Sequence, residues 1–291
     1  MTGRDEGAAT ALPAVACVVV HHRSPDTLVR TVASLVEAGV EPRNVVVVDN
    51  SEDDSLDAVA GALATVAVLT TPNDGYGAAV NAGVAWLARE RPEPAAVLVA
   101  THEVLVQPDT LAELVRGLDD PAVAAVGPLL WDSEDQTRPL WSAGGLLAGR
   151  GLVARHHRRP VRPGSDFAPV DWLDGSLVLY RRALLEAFPF DPAYFLYLEE
   201  VDLHLRLRRA GWRVSVAQRA RAVQTTHGMP AYWAMRNRVY FSRTHSLGVA
   251  GRLGTLRVLL QLVRRAVRAR DPRLLRGTLR GLAAGARLRS R

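Results

Sequence analysis

Residues 16–23 read ACVVVHHR, a continuous apolar run that ends abruptly in two histidines and an arginine. Runs that are apolar at every position are typical of strands buried on both faces of a parallel sheet. A second run, residues 44–51, reads NVVVVDNS and ends in Asp49, Asn50 and Ser51. Because the carboxyl ends of parallel strands meet at one edge of a sheet, we expect these polar residues to line a ligand-binding crevice.

Strands and helices alternate outward from these two runs. Residues 66–69 and 95–100 predict two further strands, and helices are predicted after a cap at Ser24 or Asp26 and over residues 78–88. Short connections between alternating strands and helices predict a doubly wound α/β unit over the first ~110 residues. No GxGxxG motif follows the first strand, which argues against a dinucleotide-binding fold.

The amino-acid composition limits which catalytic mechanisms the protein can use and indicates the cellular compartment in which it works. The chain has 291 residues, 48% of them hydrophobic, so we expect one large domain, residues 14–248, followed by a tail, residues 249–291. All 36 basic residues are arginine, which excludes a phosphate-binding lysine or a lysine Schiff base. Cys17 is the single cysteine and the apolar run 14–20 is too short to span a bilayer. We therefore expect a cytoplasmic protein without an export signal.

The tail is strongly basic. It carries twelve arginines and one acid, Asp271. Apolar residues recur in it at helical spacing: Leu253, Leu256, Leu260, Val263 and Val267. Such a basic amphipathic helix suits an anionic membrane surface, which would place the protein peripherally on the inner face of the cell membrane. The alternative is a helix that packs its leucines on the main domain and leaves its arginines in solvent.

Residues 194–212 read YFLYLEEVDLHLRLRRAGW, an aromatic run followed by a helix predicted from Glu199 to near Gly211. Acids in the first turn and arginines in the last stabilise such a helix whether or not it takes part in catalysis. The aromatic residues Tyr194, Phe195 and Tyr197 would also surround a carboxylate with apolar groups and raise its pKa toward the range of a general base. This segment is therefore both a well-capped helix and a candidate site for proton transfer.

Four segments in order carry a family resemblance: DNS from Asp49, NDGYGAAVNAG from Asn73, the strand-end motif THE from Thr101, and DGSLVLYRRALLEAFPFDPAYFLYLEEVDLHLRLRRAGW from Asp174. Together they resemble the inverting family 2 glycosyltransferases, in particular their rhamnosyltransferase-like branch, over residues 14–245. The resemblance implies an α/β fold of the GT-A type. In that fold a Rossmann-like nucleotide-binding sheet is joined to an acceptor-side segment and C-terminal helices.

The resemblance also implies an activity and a set of partners. It implies transfer of a sugar from a nucleoside diphosphate to an acceptor hydroxyl, for example on a lipid-linked glycan of the cell envelope, with Mg²⁺ or Mn²⁺ as cofactor. The partners expected are the nucleotide sugar, the glycan or lipid-linked acceptor and an anionic membrane surface, and no nucleic acid. An alternative is a weak or inactive sugar-nucleotide or glycan-binding module. A nucleotidyltransferase that shares the α/β fold is a second alternative.

Residue roles follow from the resemblance by position. Glu200 is the expected base, paired with Glu199. Nucleotide-sugar binding is expected of His21, Asp49, Asn50, Asn73, Gly75 and Asn81; acceptor binding of Asp174, Gly175 and Asp202; and metal binding of Glu103, His102 and His227.

The chain departs from the family pattern at two of these positions. The metal motif, often NPD or DxD, is Thr101-His102-Glu103 here, so Glu103 alone keeps an acidic side chain. His102 is then either a ligand or a polar strand-end residue. The base position, usually an aspartate, carries Glu200, which is one methylene longer.

The middle of the chain, residues 127–171, shows apolar patches separated by glycine and polar residues and a basic stretch at 150–162. One interpretation is a flexible surface loop or a solvated run of charges. The functional interpretation is a lid or acceptor-side loop whose arginines contact diphosphate oxygens.

Overall fold

The computed structural model describes residues 14–133, 139–225 and 228–289. Its strands are β1 (Val15–His21), β2 (Val45–Asp49), β3 (Ala67–Thr70), β4 (Ala96–Thr101), β5 (Val104–Val106), β6 (Val123–Trp131), β7 (Gly145–Ala148), β8 (Val153–His156), β9 (Phe167–Val170), β10 (Leu177–Arg181) and β11 (Arg213–Gln224). Its α-helices are α1 (Pro25–Glu37), α2 (Tyr76–Glu90), α3 (Thr110–Arg116), α4 (Arg182–Ala187), α5 (Glu199–Arg209), α6 (Ala231–Thr244), α7 (Gly248–Ala269) and α8 (Pro272–Arg287).

The amino-terminal half forms the parallel part of the sheet, in the order β3-β2-β1-β4. Alternate residues of β1 face opposite layers: Val18 packs in the cluster that includes α2, and Val19 in the cluster that includes α1. Both faces of β1 are therefore buried, which is why its sequence is apolar without alternation. The doubly wound unit predicted from the sequence is confirmed, with its strand ends within about one residue of those expected.

The second half extends the same sheet. β10 lies antiparallel between β4 and β6, β11 runs parallel to β6, and β5 and β9 pair with β11. Interpreting the whole of residues 127–171 as a surface loop was wrong, because 127–131 lie in β6, whose members up to Leu130 are buried. Gly127 pairs with Val216 of β11, and Leu173 packs where a side chain at position 127 would be. The basic stretch, residues 150–162, includes the turn of the β7–β8 hairpin and strand β8.

The C-terminal region is a set of three packed helices. α8 lies against α6 through Gly281 and Gly285, where any side chain would collide with the backbone of Tyr232 and Arg236. The leucine stripe of α7 faces the other way: Leu253 is 61% exposed and Val267 is 68% exposed. The tail thus packs on the main domain through glycines, and the expectation that its leucines make this contact is wrong for α7. Within the described residues, no helix combines the length and apolarity needed to cross a membrane.

Candidate active site

A cavity of about 650 Å³ opens at the carboxyl edge of the parallel strands. It is bounded by residues after β1, β2 and β4, by the loop before α2, by the turn before α5 and by the β7–β8 hairpin. This is the edge at which α/β sheets bind ligands, because loops there diverge around the strand ends. Its size is in the range of small-molecule sites.

The ends of β1 and β2 are joined by a buried hydrogen-bond network. His21 Nδ1 lies 2.9 Å from Asp49 Oδ1, and Ser51 Oγ donates to the same oxygen at 2.5 Å. His21 Nε2 accepts from the backbone N–H of Ser24 at 3.0 Å, so Nδ1 carries the proton that is donated to Asp49. His21 and Asp49 therefore lie behind the cavity wall and hold its shape. Asn50 does line the cavity, and its buried Oδ1 has no partner among the described residues.

The loop before α2 approaches the cavity closely. Asn73 and Gly75 line it, and Gly75 has a positive φ of 97°. A side chain at Gly75 would collide with the backbone of Phe195, whose carbonyl accepts from Tyr76 N at 2.8 Å. Glycine is thus required both by conformation and by space.

Asn81 lies farther along α2, away from the cavity. Its amide group donates to Phe190 O and accepts from Phe190 N, each at 2.9 Å. Asn81 therefore ties α2 to the segment before α5, which supports the pocket indirectly.

His102 and Glu103 follow β4 and both line the cavity. His102 Nδ1 donates to Val20 O at 3.1 Å, so Nε2 is left with its lone pair, 3.7 Å from Glu103 Oε1. Burial lowers the pKa of His102 to about 4, which keeps the imidazole neutral at physiological pH. A neutral imidazole oriented by a backbone carbonyl and set beside a carboxylate is a common arrangement of metal ligands.

The described residues contain no group of three or more His, Cys, Asp or Glu side chains that could hold a metal. His227, expected to be a third ligand, lies outside them. A site with two protein donors fits a cation such as Mg²⁺ or Mn²⁺ that takes its other ligands from substrate phosphates and water.

The acid pair stands at the start of α5. Glu199 is buried and its Oε2 has no partner in the described part of the chain, whereas Glu200 is partly exposed to the cavity. Burial, with the negative charge of Asp174 nearby, raises the pKa of Glu199 to about 7. Burial and the charges of Glu199 and Asp174 raise the pKa of Glu200 well above its usual value. A carboxylate of this kind can accept a proton near neutral pH.

The predicted acceptor residues divide into two groups. Asp174 and Gly175 line the cavity, and Gly175 lies against Glu200: a Cβ at Gly175 would be 3.6 Å from Glu200 Cβ. Asp202, in contrast, is 1% exposed, and its two oxygens are taken by Arg206 at 2.7 Å and His245 at 2.8 Å. Asp202 holds α5 to the end of α6, and its predicted contact with an acceptor is not supported.

The turn before α5 has an unusual backbone. Phe195, Tyr197 and Leu198 have φ values of 64°, 71° and 69°, although none of them is glycine. Left-handed conformations at such residues each cost about 1–3 kcal/mol and persist when surrounding contacts enforce them. The acid pair follows this turn directly, so its position depends on those contacts.

Side chains of α6 supply the contacts. Asn237 Nδ2 donates to the carbonyls of Leu196 and Tyr197, each at 2.7 Å, and Arg236 Nη1 donates to Tyr194 O at 2.9 Å. Asn237 is fully buried. Sequence reasoning missed this residue, because a single asparagine within a helix carries no sign of the distant turn that it holds.

We expect the Asn237→Ala variant to lose protection against amide hydrogen exchange at residues 195–200 and to be destabilised by about 1–3 kcal/mol, because two buried carbonyls lose their donor. Ser242→Ala is the control, since Ser242 lies on the same helix but packs against Gly251. Hydrogen exchange with mass spectrometry measures the effect. Unchanged protection at 195–200 would show that the turn is held by other contacts.

Comparison with known proteins relates most of this architecture, up to α6, to a family. Residues 13–241 match the model described as glycosyltransferase like family 2. The chain is 34% identical over 224 residues to N-acetylglucosaminyl-diphospho-decaprenol L-rhamnosyltransferase of Mycobacterium tuberculosis (strain ATCC 25618 / H37Rv), covering 69% of this chain and 71% of that protein. It is 24% identical over 241 residues to rhamnosyltransferase WbbL of Escherichia coli (strain K12), covering 78% and 86%.

Solved structures support the fold. The mannosyltransferase PcManGT from Pyrobaculum calidifontis, in complex with GDP-Man and Mn²⁺, matches with a TM-score of 0.56 at 16% identity, over 95% of this chain and 87% of that one. GalNAc-T7 with UDP, GalNAc and Mn²⁺ matches with a TM-score of 0.59 at 15% identity, over 85% of this chain and 54% of that one. At these identities the likeness concerns the fold alone.

Proposed function

The chain belongs to the family 2 glycosyltransferases and has the GT-A fold, and we propose that it transfers a sugar from a nucleoside diphosphate to an acceptor hydroxyl with inversion. The observation that carries this proposal is the acid pair at the cavity. Glu200 faces the cavity with a raised pKa; it lies against Gly175 and shares the cavity with the strand-end residues expected to bind the donor.

In the proposed reaction Glu200 accepts the proton of the acceptor hydroxyl while the hydroxyl oxygen attacks the anomeric carbon. The bond from that carbon to the diphosphate oxygen breaks, and the nucleoside diphosphate leaves. Glu199 and Asp174 keep the proton affinity of Glu200 high, so that it is a better base than an exposed carboxylate. Asn50 and Asn73 line the cavity where a nucleotide would bind.

His102 and Glu103 would hold the divalent cation. A bound cation supplies positive charge that stabilises the diphosphate as it leaves. Two solved structures of similar fold were determined with Mn²⁺, and we propose the same kind of ion here.

For the acceptor we propose a lipid-linked glycan. The relative from Mycobacterium tuberculosis is named for a decaprenol-linked sugar diphosphate. The exposed face of α7 suits such a substrate, because its apolar stripe, with Leu253, Leu256 and Leu260, is accompanied by exposed arginines at 252, 257 and 264. We propose that this face binds an anionic membrane surface, at the inner side of the cell membrane.

Full-length protein is therefore expected to float with anionic vesicles at low salt and to be released as salt is raised. Each basic residue near an anionic surface contributes about 1 kcal/mol, and this attraction is screened over about 8 Å at physiological ionic strength. A variant with Leu253, Leu256 and Leu260 all changed to Gln should bind poorly, whereas Val68→Gln, an exposed apolar position on β3, should bind normally. Full-length protein that remains unbound at low salt would contradict the membrane role.

The function is tested first by thermal stabilisation with a panel of nucleotide sugars, each with Mg²⁺ or Mn²⁺. A donor that binds the folded state at 100 times its Kd stabilises it by about 2.7 kcal/mol. The donor found in this way is then incubated with N-acetylglucosaminyl-diphospho-decaprenol, and the product is analysed by mass spectrometry. Binding without turnover would favour the binding module. Formation of a nucleotide sugar from a nucleoside triphosphate and a sugar phosphate would favour a nucleotidyltransferase.

A further inference from the structure

One side of the cavity is lined by aromatic rings. It consists of Trp141, His156 and Trp172, referred to below as the aromatic wall. We propose that the aromatic wall binds the pyranose ring of the acceptor and that Arg158 contacts the diphosphate attached to that ring. This inference rests on the proposed function and names the part of the molecule that selects its acceptor.

The three rings form one continuous surface. The centroid of His156 lies 5.1 Å from that of Trp141 and 4.7 Å from that of Trp172. Trp172 is almost fully buried, while Trp141 and His156 are partly exposed. Trp172 therefore forms the base of the wall, and the other two rings are the parts accessible to a ligand.

A pyranose ring matches this surface chemically. One face of the sugar carries C–H groups, which pack favourably on the negative face of an aromatic ring. Burial lowers the pKa of His156, so its imidazole is neutral and its Nδ1 is hydrogen-bonded to Ser142 Oγ at 2.9 Å. Near the strand ends the cavity is lined by polar residues, among them Asn50, Asn73 and Glu103. That part of the cavity suits the nucleotide and its phosphates better than the acceptor sugar.

The aromatic wall is linked to the proposed base. Trp141 Nε1 donates to Asp174 Oδ2 at 3.1 Å. Asp174 is followed by Gly175, where a side chain would contact Glu200. A sugar bound at Trp141 would therefore occupy the same cavity as Glu200, and the proposal requires that one of its hydroxyl groups face this base while the ring remains on the wall.

Arg158 covers one face of the Trp141 ring, so the proposed sugar would contact the remaining exposed part of that ring. Its guanidinium carbon is 4.2 Å from the centre of the Trp141 ring, and its Nη1 donates to Trp141 O at 2.7 Å. A guanidinium has five N–H donors and one is used in this bond, so further donors can contact phosphate oxygens. Adjacent side chains, Trp141 and Arg158, would then bind the sugar and its diphosphate.

The test compares Trp141→Ala, Trp141→Phe and Arg158→Gln in the full chain. The probes are N-acetylglucosaminyl-diphospho-decaprenol and its lipid-free headgroup, N-acetylglucosamine 1-diphosphate. Trp141→Ala is expected to raise the acceptor KM about tenfold or more, since the stacking surface is lost. Trp141→Phe should stay within about threefold, because it keeps a ring while losing the N–H bonded to Asp174. Arg158→Gln should also raise the acceptor KM.

Donor affinity should be unchanged in all three variants. Trp86→Ala is the matched control, because Trp86 lies on α2 outside the cavity. If Trp141→Ala transfers sugar with an unchanged acceptor KM, the aromatic wall does not bind the acceptor. The proposed function would remain intact. Headgroup that binds the wild type, and not Trp141→Ala, without any transfer would support the wall and contradict the proposed function. Headgroup that neither binds nor reacts would overturn the inference.

Discussion

Sugar transfer by the Glu200→Gln variant is expected to fall by about 10²–10⁴-fold, the usual contribution of a general base. The amide is nearly the same size as the carboxylate but cannot accept the hydroxyl proton, so donor affinity should be almost unchanged. Rate measurements at saturating donor, together with donor titration by calorimetry, separate the two effects. Glu199→Gln is the matched control and should be milder, because Glu199 is almost fully buried whereas Glu200 is partly exposed to the cavity.

Two outcomes would change this assignment. Equal losses of donor binding and turnover in Glu200→Gln would mean that the residue binds the donor and does not act as the base. A larger loss in Glu199→Gln than in Glu200→Gln would move the role of base to Glu199.

The same pKa shifts predict how rate and stability depend on pH. The base must be ionised, so the transfer rate should rise with pH as Glu200 loses its proton, at a higher pH than an exposed glutamate would. For a carboxyl whose pKa is raised on folding, the folded state holds more protons than the unfolded state between the two pKa values, and stability falls as pH rises through that interval. For Glu199 the interval runs from about 4.5 to about 7.

Replacing Glu200 removes a carboxyl of this kind. Glu200→Gln should therefore match the wild type in Tm near pH 4 and exceed it at pH 8, which also verifies that the variant is folded. Thermal unfolding across pH 4–8 measures the difference. A constant difference in Tm across that range would show that the pKa of Glu200 is not raised.

Removal of divalent cations with EDTA is expected to lower transfer by at least about 10²-fold, because the leaving diphosphate would lose its main positive partner. Glu103→Ala should weaken donor binding in the presence of Mn²⁺ and have little further effect in EDTA, since the carboxylate acts through the ion. Glu93→Ala is the control, because Glu93 is an exposed glutamate between α2 and β4, outside the cavity. Calorimetric titration of the donor with and without Mn²⁺ measures the difference. Transfer that is unaltered by EDTA would mean that arginines neutralise the diphosphate.

Much of the fold was predictable because it depends on local patterns. The valines of β1 and β2 are apolar at every position, and only a strand covered on both faces accommodates such a run. The acids and arginines of α5 mark its two ends, and the helix begins at Glu199 as expected. Most of the predicted site residues line one cavity. They are Asn50, Asn73, Gly75, His102, Glu103, Asp174, Gly175, Glu199 and Glu200.

Two carboxylates among the predicted site residues, Asp49 and Asp202, lie outside the cavity for reasons that no local pattern reveals. Asp49 is held by His21, 28 residues away, and Asp202 by His245, 43 residues away. A buried carboxylate needs such partners, because its desolvation is otherwise costly. Sequence reasoning can locate an acid at a strand end or helix start, but it cannot say whether a distant imidazole takes it out of the cavity.

The sequence by itself determined the parallel sheet, the edge at which its ligand site lies and the acid pair that opens α5, because each of these follows from residues close together in the chain. Only the tertiary structure decided which side chains form the aromatic wall, that Asn237 holds the turn before the acid pair, and that the leucines of α7 face outward. These features depend on contacts between segments far apart in sequence. Asn237, for example, binds carbonyls 40 and 41 residues away. Such contacts depend on which surfaces can pack closely without steric overlap. The glycines of α8 fit closely against α6, and the leucines of α7 are left exposed.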